Sequence, residues 1–198
     1  MTSFRIGPMA VADIPEVARL QTAFLHGSVL TELGPGFLSR FHELALSHPT
    51  SHAFVARADG ELIGFALGSV DVQQFNAHMK PRVLPAMAMA LLAPRRIRLA
   101  ASLVRMAFES KPEPPIPAEL LLLIVHPKAR RSGVGRGLLA ALETVFAEHR
   151  QMRYRVAVRS QLTTARAFYE ALRFEPEQDR IVLGLPMTYL TKPVDSAL

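Results

Sequence analysis

The chain of 198 residues contains no cysteine and no tryptophan. Without cysteine it can form no disulfide framework and offers no thiol nucleophile, which fits a reducing compartment and leads us to expect a cytoplasmic protein. The net charge of +6 suits an anionic partner. With only three tyrosines, however, the chain has few rings on which nucleic-acid bases could stack. We therefore expect no nucleic-acid partner and keep a nucleic-acid binder as the competing interpretation of the charge.

Long apolar runs are also lacking. The longest uncharged apolar run, Val83 to Ala93, is too short to span a bilayer and contains Pro85. The first residues carry Arg5 and Asp13 and have no apolar core, so they are not typical of a secretory signal. From the length of 198 residues we expect a single domain over residues 1–198, or one domain with a sizeable insertion, and since nearly half of all residues are apolar a hydrophobic core is possible.

The most informative stretch runs from Glu119 to Leu142. Leu120 to Val125 is a continuous apolar run that predicts a strand buried on both faces, and Pro127 should end it. A basic, glycine-rich turn follows, and then the apolar face of a helix. We expect the turn and the helix start to bind an anion through Arg130, Arg131, Ser132, Gly133, Val134, Gly135 and Arg136.

Main-chain N–H groups are the physical reason for this expectation. Such a turn can point several N–H groups at one place, and the helix start adds partial positive charge, a combination that binds phosphate. Glycine suits the turn because a Cβ atom would block the close approach of a diphosphate. The other interpretation is a plain strand-to-helix connection that needs a positive φ. Two rival phosphate motifs are absent, since no Gly-Lys-Ser/Thr closes the turn and the third glycine of the dinucleotide fingerprint is missing.

The stretch resembles the acetyl-CoA signature of the GNAT acetyltransferase superfamily, Arg/Gln-x-x-Gly-x-Gly/Ala after a strand that ends Val-x-Pro. Here the signature is Val125-His126-Pro127 followed by Arg130-Arg131-Ser132-Gly133-Val134-Gly135. The superfamily's second motif, Asn-x-x-Ala-x-x-Phe-Tyr-Glu-x-x-Gly-Phe, is matched by Ala165, Phe168, Tyr169, Glu170 and Phe174. Two positions depart from it, because Leu162 replaces the Asn and Arg173 replaces the Gly. The turn at Arg173 must therefore use a less comfortable backbone or a different geometry.

The resemblance implies an α/β fold with a mixed, mostly antiparallel sheet of six to seven strands and helices on both faces. The strands that we predict are 4–6, 52–57, 62–70, 120–125, 154–158, 180–185 and 187–190, the last two split by Pro186. In the superfamily the central strand and the next one splay apart, and the pantetheine arm of coenzyme A lies in that cleft. Matched by offset, its contacts here would be the main chain of Leu123 and Val125.

Between residues 71 and 117 the pattern changes. Seven Lys or Arg stand against three acids, and the apolar spacing predicts two short amphipathic helices broken at Pro94. Compact members of the superfamily join these strands with a short turn, so we interpret 71–117 as a basic helical insertion. Its role is open between an extra packed layer, a lid or homodimer contact, and docking on an anionic membrane or polymer.

The resemblance also implies an activity, the transfer of an acetyl group from acetyl-CoA to an amine of a small molecule, amino sugar or peptide. We expect direct attack by the amine in a ternary complex, since the chain has no cysteine that could form a covalent acyl-enzyme intermediate. We also expect no metal. Tyr169 would protonate the leaving sulfur, and Glu119 would take a proton from the incoming ammonium. The N–H of Val125 would polarise the thioester carbonyl.

Other functions stay open. O-acetylation of a sugar hydroxyl is the alternative within the same chemistry, and a non-catalytic acyl-CoA-binding regulatory domain is the alternative outside it. The sequence does not name the acceptor. Apolar spacing predicts two early helices, one with Ile14, Val17, Leu20 and Phe24 on one face and one with Phe37, Phe41 and Leu44. In the superfamily these helices help wall the acceptor site, so Glu32, His26 and His42 either face substrate or are surface and helix-end groups.

Overall fold

A computed structural model of the chain describes residues 3–25, 29–91, 116–182 and 185–194. The strands are β1 (Arg5–Pro8), β2 (Ser51–Ala58), β3 (Glu61–Ser69), β4 (Ala118–Val125), β5 (Arg153–Arg159), β6 (Glu175–Val182) and β7 (Leu185–Pro193). They form one seven-stranded sheet in the order β1-β2-β3-β4-β5-β7-β6. The β4–β5 pair is parallel and the other pairs are antiparallel. The predicted mixed, mostly antiparallel sheet is confirmed.

Helices cover both faces of this sheet. They are α1 (Ile14–Phe24), α2 (Val29–Glu32), α3 (Pro35–Leu46), α4 (Val72–Leu91), α5 (Val134–Glu148) and α6 (Thr163–Ala171). On one face, α5 buries Leu138, Leu142 and Phe146 in a cluster with Tyr154 and Val156 of β5. On the other face, apolar residues of α1, α3 and α4 pack with Phe65 and Leu67 of β3. Within the described ranges, no helix has both the length and the apolar character that a bilayer-spanning helix needs.

The sheet parts between β4 and β5. The two strands are paired at Ala118–Tyr154, Glu119–Arg155 and Leu120–Val156 only. On its other side β4 stays paired with β3 as far as Val125, with an irregularity that leaves Leu121 unpaired. The splay that the resemblance implied is therefore confirmed, and it opens a gap toward the turn that follows Val125.

Helix α4 occupies the first part of the predicted insertion. It is one helix of 20 residues that continues through Pro81 and Pro85 rather than a short helix. Its first half belongs to the core, where Phe75 and Met79 are buried with α1 and α3, so tertiary packing outweighs the hydrogen bonds that the prolines remove. Pro94 and the second predicted helix lie outside the described residues, and the boundaries 71–117 of the insertion stay a prediction.

Pro186 lies inside a strand, not between two strands. Its carbonyl oxygen accepts the N–H of Ser160 at 3.0 Å, on the side of β5. Because the N–H and C=O of a strand residue point the same way, the missing N–H of proline falls where β5 has already ended. The pairing of Pro186 with Ile181 on β6 therefore survives.

Candidate active site

The basic turn connects the end of β4 to the start of α5. Of its three glycines only Gly133 lies in the turn, where it precedes the helix with φ of +91°, a left-handed conformation that favours glycine. Gly135 and Gly137 lie in the first turn of α5, and a Cβ at Gly137 would come within 2.6 Å of Ile6. The expected glycine-rich turn is thus shorter than the sequence indicated.

The start of α5 is open to an anion. A Cβ at Gly133 would have no atom within 4 Å. The first helical hydrogen bond runs from Gly137 N–H to the Gly133 carbonyl at 2.9 Å, so the N–H groups before it have no acceptor within the helix. The side chain of Val134 is buried, which leaves only its main chain for binding.

Positive charge surrounds this helix start. Arg130, Arg131 and Arg136 are exposed, and none of them forms an ion pair with a described residue. Arg130 also braces the turn, because its Nε donates to the Val125 carbonyl at 3.3 Å. Ser132 does the same by donating its hydroxyl to the Ala129 carbonyl at 2.7 Å. The turn is therefore held by its own side chains while its charge stays available.

Gly135 brings the two sequence motifs together. A Cβ at this position would lie 3.2 Å from Cζ of Phe168 on α6 and 3.6 Å from Cγ2 of Val125 at the end of β4. Glycine is needed here because the start of α5 packs directly against the ring of Phe168. The predicted cofactor turn, the end of the central strand and the second motif thus meet at one end of the gap.

The gap is lined by main-chain groups of β4. His126 N–H donates to the Ile63 carbonyl at 2.8 Å, toward β3. Since successive strand residues direct their main-chain groups to opposite sides, the N–H and C=O of Leu123 and Val125 point away from β3. They point to where β5 has diverged, and no β5 residue within the described part of the chain pairs with them. A ligand with amide groups could pair there as a strand does.

Tyr169 lies on α6 with its ring 7% exposed and belongs to the same apolar cluster as Leu123 and Val125. Its ring meets those of Phe168 and Phe174, both with centroids at 5.1 Å. The hydroxyl has no hydrogen-bond partner among the described residues, yet it is not sealed from solvent. Burial raises the pKa of Tyr169 above its ordinary value of 10. The hydroxyl therefore keeps its proton at neutral pH, so its O–H is present as a hydrogen-bond donor.

Helix α6 ends in the turn that Arg173 occupies. Phe174 N–H donates to the Tyr169 carbonyl at 3.0 Å and Arg173 N–H to the Glu170 carbonyl at 2.9 Å, the two bonds of a Schellman motif. Arg173 has φ of +64°, where a side chain is disfavoured. The expectation of a less comfortable backbone is confirmed, and the motif keeps its geometry without its glycine.

Glu119 forms a buried ion pair with Arg155 on β5. Nη2 and Nε of Arg155 both donate to Oε2 of Glu119, at 2.8 Å and 2.9 Å. Tyr154 and Val156 face α5, so the pair lies on the opposite face of the sheet, at the second of the three paired positions before the strands part. Oε1 of Glu119 has no partner among the described residues and is open to solvent. The base role of Glu119 stays a prediction.

Arg155 was missed by the sequence analysis. A charged residue between Tyr154 and Val156 in an apolar strand was the available signal, because such a residue needs a charged partner when its face is buried. The residue that supplies this partner is 36 positions away in the sequence.

The early helices contribute less than expected. His42 is 1% exposed and bonds Gln21 through Nε2 at 2.8 Å, so it is a core residue and faces no cleft. Burial lowers its pKa to about 4. Glu32 is exposed at the end of α2, and His26 lies outside the described residues.

Comparisons with known proteins agree with this geometry. The model of the acetyltransferase (GNAT) family matches residues 22–174. No curated protein matches the sequence. A ribosomal-protein alanine N-acetyltransferase from Escherichia coli is 16% identical, with a TM-score of 0.61 over 99% of this chain and 97% of that one. A PaiA N-acetyltransferase from Thermoplasma acidophilum, solved with coenzyme A, is 16% identical, with a TM-score of 0.62 over 96% and 99%. At such identities the likeness shows the fold.

Proposed function

The chain belongs to the acetyltransferase (GNAT) family, whose members move an acyl group from acetyl-CoA, and we propose that it acetylates an amine by direct attack in a ternary complex. One observation in the chain itself carries the proposal. The open, basic start of α5 lies at the mouth of the gap between β4 and β5, and along the wall of that gap β4 has main-chain groups with which no described residue of β5 pairs. The basic helix start fits the anionic diphosphate of coenzyme A, and the wall of the gap fits its amide-bearing arm.

The residues that would hold the cosubstrate form two groups. The turn and helix start, 130–136, would bind the diphosphate through main-chain N–H groups and arginine side chains. The main chain of Leu123 and Val125 would pair with the amides of the arm, as an added strand pairs with a sheet edge. The open position at Gly133 and the three exposed arginines, none of which forms an ion pair with a described residue, support this assignment.

Acetyl-CoA supplies an acetyl thioester, and three groups of the chain act around it. Glu119 accepts a proton from the ammonium, which frees the nitrogen lone pair to form the N–C bond. The N–H of Val125 donates to the carbonyl oxygen as negative charge develops there. Tyr169 gives its proton to the sulfur as the C–S bond breaks. The second proton that the nitrogen loses returns to the Tyr169 hydroxyl through solvent, and Glu119 releases the first proton to solvent, so both residues are restored.

The unused oxygen of Glu119 favours an amine over a hydroxyl. An ammonium is a charged donor, so it adds an ion-pair attraction to the carboxylate that a neutral hydroxyl lacks. Oε2 is held by Arg155, so Oε1 is fixed in place to receive such a donor. The acceptor of the Escherichia coli relative, an alanine in a ribosomal protein according to its name, is in line with N-acetylation.

A thiol-release screen with acetyl-CoA tests the proposal. Acceptors are offered in matched pairs, such as glucosamine with glucose and a peptide amine with its hydroxyl analogue. Turnover with the amine of each productive pair supports the proposal, and equal or faster turnover with the hydroxyl would instead assign O-acetylation. Calorimetric binding of coenzyme A without turnover from any pair would assign a regulatory acyl-CoA-binding domain. The variant Gly133→Asp serves as the control for cofactor-dependent release.

A further inference from the structure

Arg155 has an edge that the protein does not use. A guanidinium presents one pair of N–H groups along Nε and Nη2 and a second pair along Nη1 and Nη2. The first edge is engaged by Glu119. Nη1 is buried and has no hydrogen-bond partner among the described residues, and Arg155 as a whole is only 6% exposed. Buried charged donors are seldom left unpaired, because a missing partner is costly.

The position of this edge places it at the acceptor end of the gap. Arg155 is in the second of the three paired positions before β5 leaves β4. Glu119 lies opposite it, and its Oε1 has no partner among the described residues and is open to solvent. A buried donor without a partner and a solvent-exposed carboxylate oxygen therefore lie side by side close to the point where the two strands diverge.

The surrounding charges limit what can bind. Tyr189 stacks under Arg155, whose Cζ lies 4.9 Å from the ring centroid, and Arg180 lies 5.8 Å from the same ring. Burial raises the pKa of Tyr189, and the carboxylates of Glu119 and Glu177 raise it further, so both of them act on the same ring. The charges that act on the Tyr189 ring are therefore two cations and two anions. A zwitterion brings no net charge to such a set, whereas a phosphorylated acceptor would bring excess negative charge.

We propose that the acceptor is an amine with a carboxylate beside it, as in an α-amino acid, and that Arg155 binds this carboxylate through its Nη1–Nη2 edge. The two parallel N–H groups of that edge match the two oxygens of a carboxylate. The amino group of the same molecule then reaches Oε1 of Glu119. This inference rests on the proposed function, because it names the class of its acceptor. Arg155 thereby becomes a specificity-determining residue of the reaction.

The test compares amino acids with analogues that lack the charge. Each of the twenty amino acids is offered with acetyl-CoA beside its amide and its decarboxylated amine, and thiol release is recorded. The wild-type protein should show a kcat/KM for its best amino acid on the order of a hundredfold above the matching amine. Equal values for amino acid, amide and amine would overturn the proposal without touching the proposed function.

The variant Arg155→Lys separates recognition from folding. Lysine keeps the charge beside Glu119 but loses the forked edge, so the ratio of kcat/KM for an amino acid to kcat/KM for its decarboxylated amine should fall toward one, whatever happens to the absolute rates. Arg153→Lys, on the same strand with a side chain that is 46% exposed, is the matched control and should keep the preference. Glu177→Gln should also keep the preference for the carboxylate. If that preference is lost in Glu177→Gln and kept in Arg155→Lys, Arg155 is not the residue that recognises the carboxylate. If Arg155→Lys does not fold, the wild-type comparison alone decides.

Binding without turnover gives a second readout. Amino acids are titrated calorimetrically into the wild-type protein saturated with coenzyme A, which cannot donate an acetyl group. Heat that is present for the wild type and absent for Arg155→Lys supports the proposal. If amines are acetylated but no amino acid binds or reacts, this inference fails alone. Absent coenzyme A binding would instead defeat the proposed function and this inference with it.

Discussion

Replacing Gly133 by aspartate places a negative charge where the proposed diphosphate binds. The Cβ at this position meets no atom within 4 Å, so the new side chain has room and displaces nothing. It does force a residue with φ of +91° to carry a side chain, which costs stability by about 1–2 kcal/mol. The variant Gly133→Asn carries the same backbone strain and nearly the same shape but no charge. The comparison of the two therefore isolates the charge.

The magnitude follows from Coulomb's law. Taking two unit charges on the diphosphate at about 5 Å from the carboxylate and an effective dielectric of about 40, the repulsion is about 3 kcal/mol. That free energy corresponds to a dissociation constant for coenzyme A that is roughly a hundredfold higher for Gly133→Asp than for Gly133→Asn. Because the site is exposed, 1 M salt should remove most of the difference.

Isothermal titration calorimetry of coenzyme A into both folded variants measures this difference directly. Pantetheine, which lacks the diphosphate, is the matched control ligand and should bind both variants equally. If the two variants bind coenzyme A with the same constant, the start of α5 holds no phosphate and the assignment of residues 130–136 is wrong. If pantetheine is affected as strongly as coenzyme A, the aspartate acts on the fold rather than on the anion.

Four other outcomes are expected. Tyr169→Phe keeps the ring and should lower kcat on the order of a hundredfold with little change in the Kd of acetyl-CoA. The control Tyr154→Phe should leave kcat unchanged. Equal kcat values for the two variants would mean that Tyr169 only packs. Glu119→Gln should slow acetylation at neutral pH and recover in part at higher pH, where the amine is already neutral, and an unaltered pH–rate profile would remove Glu119 from the reaction. Arg173→Gly should raise the free energy of unfolding by about 1 kcal/mol in urea titrations with kcat unchanged, since it relieves the left-handed backbone; a loss of stability would contradict that. His42, whose folded pKa of about 4 lies below the unfolded value of 6.5, binds its proton more readily when unfolded, so stability should fall by about 3 kcal/mol as pH drops from 6.5 to 4, and His42→Gln should lack this component.

Local signals made part of this molecule predictable. The strand, turn and helix around Gly133 could be found because an apolar run, a proline, a left-handed glycine position and a helical apolar face follow one another within 24 residues. The strained turn at Arg173 could be anticipated because the motif has glycine at this position, where the end of a helix commonly needs a left-handed backbone. Such features depend on neighbouring residues and are written into short stretches of sequence.

Features that depend on distant pairing could not be predicted in the same way. The ion pair of Glu119 with Arg155 exists because two strands 36 residues apart lie in parallel register for only three pairs. His42 is buried because Gln21, on another helix, supplies its hydrogen bond. Pro186 is tolerated within β7 because the neighbouring strand ends beside it. In each case the deciding partner is supplied by the tertiary fold.

The short pairing between β4 and β5 gives the sheet two internal edges, beyond Leu120 on one side and beyond Val156 on the other. Edges of this kind are ordinarily places where a sheet opens or recruits a foreign strand. Under the proposed function, the arm of coenzyme A lies between the two edges and takes the place of a strand. Binding of the ligand is then linked to folding, because only the folded protein offers this site. At a hundredfold excess over its Kd the ligand would add about 2.7 kcal/mol to stability. The two half-sheets would then exchange their amide hydrogens as separate units when the ligand is scarce. The lifetime of the protein in a cell would thereby follow the size of the coenzyme A pool.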